Sequence, residues 1–142
     1  MGERLELGRL VYTVFETQWL SQLGEGPSAR VPQHRFFLVR LSVTNSSGRQ
    51  VIAPGIRLED DAGNQYPELN DGDRVPMWTG FLRPLKPRQT LQGNVVFDAP
   101  PQHYRLRVTD ETEERAAFVD IPLTFGADTP PLPLPEREEK RK

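Results

Sequence analysis

An all-β sandwich of seven to nine mostly antiparallel strands is the fold this sequence predicts, and three observations predict it. Short segments alternate apolar and polar residues with period 2, as in residues 35–45, where Phe37, Val39, Leu41 and Val43 share one face. Turn-forming residues punctuate the chain between these segments. Fourteen prolines, roughly twice the average share of about 5%, sit mainly in connections and near the end, which suits strands better than helices.

The 142 residues suit one domain with a core of its own. Hydrophobic residues make up 36% and charged residues 27%, and no apolar run is long enough to cross a bilayer as a helix. Lys and Arg number 18 against 20 Asp and Glu, a net charge of -2, so nucleic acid is not an expected partner. The absence of cysteine removes disulfides, thiolate metal sites and cysteine nucleophiles. His34 and His103 are the two histidines, and both read as surface residues of strands. No catalytic residues, cofactor site or metal site are expected.

The first six residues are charged and carry neither the apolar region nor the cleavage site of a signal peptide. Residues 7–23 read as a first, kinked strand, and residues 24–28 as a Gly- and Pro-containing loop. The segment 35–45 is half-buried, its second face passing from covered near Phe36 and Leu38 to wet near Asn45. Asn45-Ser46-Ser47-Gly48 then reverses the chain. The first three of these residues also match a glycosylation acceptor, a pattern frequent by chance.

Residues 51–60 form a strand interrupted at Pro54-Gly55, and residues 61–64 a hairpin turn that brings Tyr66 back to the sheet. The acidic residues Glu59, Asp60, Asp61, Glu68, Asp71 and Asp73 do not match the spacing of a calcium loop. Residues 67–84 are the longest stretch without a sustained period, and such stretches are functional or mobile. Trp78 and Phe81 are therefore the candidate protein-binding residues. The competing expectation is that this apolar segment folds down and plugs one end of the sandwich, burying Trp78.

Lys86-Pro87-Arg88-Gln89 is a turn. Strands follow over 90–98, 103–109 and 117–125, with Gly93 marking a close approach or a bulge and Pro122 an edge position. The sandwich domain thus covers 1–126. Residues 127–142 form a proline-rich and then charged tail, a spacer or disordered end.

Three pieces in order, Val43-Thr44-Asn45, the run from Leu58 to Tyr66, and Leu85-Lys86-Pro87 followed by Gly93 to Pro100, resemble the Ig-like domains of unknown function of bacterial and archaeal secreted proteins and lipoproteins. These are relatives of the mycobacterial immunoprotective extracellular antigen. The resemblance covers about residues 7–125 and implies an Ig-like topology and a non-enzymatic extracytoplasmic role, with a protein or cell-envelope component as partner and the leader absent from this sequence. It brings no catalytic residues. Arg88-Gln89 departs from the Gly-Glu turn common in that family. A fainter similarity, to the Ig-like intracellular proteinase inhibitors of bacilli, implies inhibition through the 67–84 loop as the alternative.

Overall fold

The computed structural model describes residue 2 and residues 4–122; the expected tail and the apolar residues Leu123 and Phe125 lie outside them. Ten strands follow in chain order: β1 (Arg4–Leu7), β2 (Leu10–Leu20), β3 (Arg35–Asn45), β4 (Val51–Ala53), β5 (Arg57–Asp60), β6 (Gln65–Pro67), β7 (Arg83–Leu85), β8 (Thr90–Ala99), β9 (Tyr104–Thr109) and β10 (Ala116–Ile121). Eight form two four-stranded sheets, β1-β2-β3-β8 and β10-β9-β5-β6, and β4 pairs with β7 in a separate ribbon. Every strand pair is antiparallel. The all-β sandwich expected from the sequence is what the chain forms.

Strand β3 lies between β2 and β8 along its whole length. Its Phe37, Val39, Leu41 and Val43 face Leu58, Leu106 and Val108 of the other sheet in one buried core. Trp19 stacks against Phe37 with ring centroids 4.4 Å apart. The ring of Tyr66 meets Tyr104 edge-on at 5.7 Å, so the 61–64 turn does return Tyr66 to the sheet. On the outer side of the first sheet, Phe36, Leu38 and Val96 join Leu23 and Val75 in a second cluster, which covers one end of β3 on both faces.

Several elements differ from expectation for identifiable reasons. The expected first strand is two: Gly8, at φ +59, turns the chain between Leu7 and Leu10 in the manner of a two-residue hairpin with positive φ at its first central position. The kink in β2 is a register shift between Val14 and Glu16. Residues 51–60 also divide, because Pro54 cannot continue a ladder and the chain crosses there from the ribbon to the second sheet.

Asn45 is not wet but fully buried. Its Nδ2 donates to the carbonyls of Arg49, Leu85 and Lys86, at 2.6, 3.2 and 3.1 Å. Its Oδ1 accepts from the backbone and hydroxyl of Ser47. One side chain thus closes the 46–49 turn and ties it to the end of β7. The nitrogen a glycan would need is consumed by the fold.

The 86–89 turn explains the Arg-Gln departure: Pro87 holds the first central position, and Arg88 takes φ 65, the conformation a type II turn usually gives to glycine. Gln89 N–H closes the turn on Lys86 O at 3.0 Å, and Arg88 Nη1 donates to Ser46 O at 2.7 Å. That bond offsets part of the backbone cost.

Candidate functional site

The segment between β6 and β7 is organised by its two ends. Glu68, just after β6, and Arg83, the first residue of β7, form a buried ion pair whose side chains are 0% and 1% exposed. Arg83 Nη2 donates to both Glu68 carboxylate oxygens. Nε donates to Thr79 Oγ1 at 3.1 Å and Nη1 to Pro54 O at 3.3 Å. Glu68 Oε2 also accepts from Ile56 N–H at 2.7 Å. Desolvation raises the Glu68 carboxyl above the usual carboxylate range, against the pull of Arg83 and the Ile56 amide. The pair is costly to bury and holds because nearly every donor and acceptor in it is used.

Between these ends the backbone is fixed to the first sheet. Leu69 N–H donates to Val96 O at 2.8 Å, Asn94 N–H to Met77 O at 2.8 Å, and Thr79 N–H to Asn94 O at 3.1 Å. Residues 77–79 therefore lie along the outer edge of β8. Gly93 permits this, since a Cβ there would stand 2.2 Å from Met77 O. The close approach expected at Gly93 is this contact.

The structure separates the two candidate residues. Trp78 is half-buried and packs with Val75 and Leu69 against the cluster of Leu23, Phe36, Leu38 and Val96. Its indole lies over Gly72, where a Cβ would fall 1.9 Å from the ring. Its Nε1 is buried with no acceptor among the described residues, which offsets part of the gain from burial. Phe81 is 37% exposed and rests on Gly55 beside Glu68. Trp78→Ala is expected to cost about 2–4 kcal/mol, somewhat below the range for a fully buried Trp; chemical denaturation measures it.

The segment also displays residues that sequence reasoning did not single out. Met77 is 67% and Leu82 50% exposed, and both take positive φ, 52 and 54, as does Arg74 at 68. Non-glycine residues in this region store strain of about 1–3 kcal/mol each. Ile52 of β4, 54% exposed, pairs with exposed Pro84 of β7 and adds to the apolar surface on the adjoining ribbon. Neither Met77 nor Leu82 carried a periodic signal. Glu68 and Arg83, fifteen positions apart, looked like ordinary surface charges.

A second feature is polar. His103, at the start of β9, lies with Nδ1 2.8 Å from Asp61 Oδ1 and Nε2 2.8 Å from Asp120 Oδ1. It joins the β5–β6 turn to β10 beside a shallow cleft of ≈ 570 Å³ that Glu59, Asp60 and Arg105 also line. Hydrogen bonds to Asp61 and then to Asp120 raise the imidazole pKa above its ordinary value. With both nitrogens so engaged the ring is a cross-link between the β5–β6 turn and β10.

The neighbouring acids are likewise occupied: Glu59 by Arg105 and Gln65, Asp60 by the Ala62 and Asn64 amides and Gln102. Among the described residues no three His, Cys, Asp or Glu side chains converge in a way that could hold a metal ion. Because the folded pKa of His103 is raised, the bridge contributes its full stability below the unfolded value of about 6.5 and loses it as pH rises through the folded value. Asp61→Asn is expected to reduce this pH dependence, read as Tm against pH from 5 to 9.

Comparison with solved structures finds bacterial proteins of similar fold, one of them described as a β-sandwich. It is similar to the yjhA protein of Bacillus subtilis (TM-score 0.65, 13% identity, 86% of this chain and 98% of that one). It is also similar to a functionally unknown protein of Listeria monocytogenes (0.63, 10%, 86% and 82%) and to an uncharacterized β-sandwich protein of Clostridium difficile (0.55, 11%, 86% and 91%). At such identities the likeness is one of fold. No family model and no curated protein matches the chain.

Proposed function

We propose that this protein is a non-enzymatic, Ig-like binding module that works outside the cytoplasm and engages a protein or cell-envelope component through residues 67–84. The observation that carries this reading is the combination of clamp and display. A buried ion pair and a row of backbone hydrogen bonds hold the segment, while Met77, Phe81 and Leu82 face solvent from it. A rigid segment loses little entropy on binding, and exposed apolar side chains on such a frame supply interface energy. The doubly hydrogen-bonded His103 supports the non-enzymatic part, and the resemblance to secreted Ig-like domains supports the location.

The test is chemical cross-linking of the whole protein to an envelope fraction, compared with a Met77→Ser/Leu82→Ser variant. Both substitutions are on exposed positions, so the variant keeps its Tm. Cross-linked partners retained by the variant would contradict the reading; their loss supports it. The same two proteins, incubated with a subtilisin-like protease, test the inhibitor alternative, which the held and strained backbone favours. Stoichiometric inhibition lost in the variant would select it, and rapid cleavage within 67–84 would reject it.

A further inference from the structure

The outer face of the second sheet carries two parallel rows of side chains. One row reads Asp120, Arg105, Glu59, Gln65 across β10, β9, β5 and β6, and the next reads Phe118, Arg107, Arg57, Pro67. The first row balances itself: Arg105 donates to Glu59, which also accepts from Gln65. The second sets two arginines directly opposite each other, an arrangement that destabilises a sheet unless the charge is answered.

Among the described residues it is not answered within the row. Arg57 Nη1 donates to the neutral Gln65 amide at 3.0 Å, and among the described residues Arg107 has no hydrogen-bonded or ion-paired partner. Glu59 lies near enough to feel Arg107, but its carboxylate is engaged first by Arg105. Phe118, 39% exposed, bounds the pair on one side with the Arg105 guanidinium 3.8 Å from its ring centroid. Pro67 bounds it on the other.

We infer that Arg57 and Arg107 form a binding site for a phosphate-type oxyanion on this face. Two arginines paired directly across β5 and β9 offer two planar forks of donors and two positive charges on one face. A phosphate dianion matches both, whereas one carboxylate would satisfy a single fork. The apolar ends of the row, Phe118 and Pro67, would contact the organic part of a phosphate ester. Of the 67–84 segment this row includes only its first residue, Pro67 of β6, and the two arginines lie on β5 and β9, so the inference does not depend on that segment's role.

The test is titration of isotopically labelled protein with inorganic phosphate and with glycerol phosphate at constant ionic strength, followed by backbone amide shifts. Saturable shifts confined to β5, β9 and Phe118 are expected. Tighter binding of the ester would show that its stem is read, and equal binding that the anion alone is; either supports the site. Arg57→Gln or Arg107→Gln should weaken binding roughly tenfold or more, Arg107→Lys should restore only part, and Arg4→Gln on β1 should change nothing. In low salt without ligand, Arg107→Gln should have a higher Tm than the wild type, because it removes a like-charge contact. Shifts that merely follow ionic strength, that persist in Arg107→Gln or that acetate reproduces would overturn the site. So would a ligand-free Arg107→Gln less stable than the wild type.

Discussion

Replacing Arg83 by alanine is expected to lower the unfolding free energy by about 3–5 kcal/mol, the usual consequence of leaving one buried charge without its partner. Glu68 would remain beneath Phe81 and Gly55 with only the Ile56 amide as donor, and Pro54 O and Thr79 Oγ1 would each lose a donor. The carboxyl would then protonate more readily, so the deficit should shrink toward acid pH. The double change Glu68→Leu with Arg83→Met removes both charges and should recover much of the loss, because well-packed apolar groups often replace a buried ion pair at little cost. Urea denaturation of the wild type and the two variants decides the matter. A single alanine variant as stable as the wild type would mean that the pair does not hold the segment.

The second large effect is expected at Asn45. Asn45→Asp keeps the oxygen that Ser47 uses but turns the donating end into an acceptor facing the carbonyls of Arg49, Leu85 and Lys86. Three lost hydrogen bonds and a buried carboxylate among carbonyl dipoles should cost about 3–5 kcal/mol near neutral pH. Protonation of the new carboxyl restores one donor, so the variant should regain part of its stability as pH falls. Asn45→Ala, which leaves the same carbonyls unpaired without adding charge, should be milder and independent of pH. A pH-independent loss in Asn45→Asp would contradict this account of the site.

The strands were legible where one face is buried and the other wet. Val39, Leu41 and Val43 on β3, and Tyr104, Leu106 and Val108 on β9, announce themselves by period because the two faces meet different solvents. Gly93 was legible for another reason: a glycine within a strand implies that something approaches, although only the fold shows that the visitor is the Met77 carbonyl.

What stayed hidden depends on pairs distant in sequence. Glu68 and Arg83 carry no local pattern, and their meaning comes from a shared buried space that topology creates. Asn45 read as a turn residue because asparagine favours turns, while its burial follows from β7 passing beside it. His103 read as a surface histidine and is partly exposed, yet its two carboxylates come from Asp61 and Asp120, 42 and 17 positions away. Trp78 and Phe81 stand out in the sequence as the aromatic residues of an aperiodic stretch. The division of labour between them was not readable, because it turns on which face Gly72 and Gly55 leave open.

The account rests on residues 67–84 being a held, rigid display segment, and native-state hydrogen exchange tests that most directly. The amides of Leu69 and Thr79, which bond across to Val96 and Asn94, should be protected to nearly the same degree as those in the middle of β8, and Arg83→Ala should lower most the protection of Thr79 and of Asn94, whose amide bonds to Met77. Exchange of the Leu69 and Thr79 amides at the rate of an unstructured peptide in the wild-type protein would contradict it.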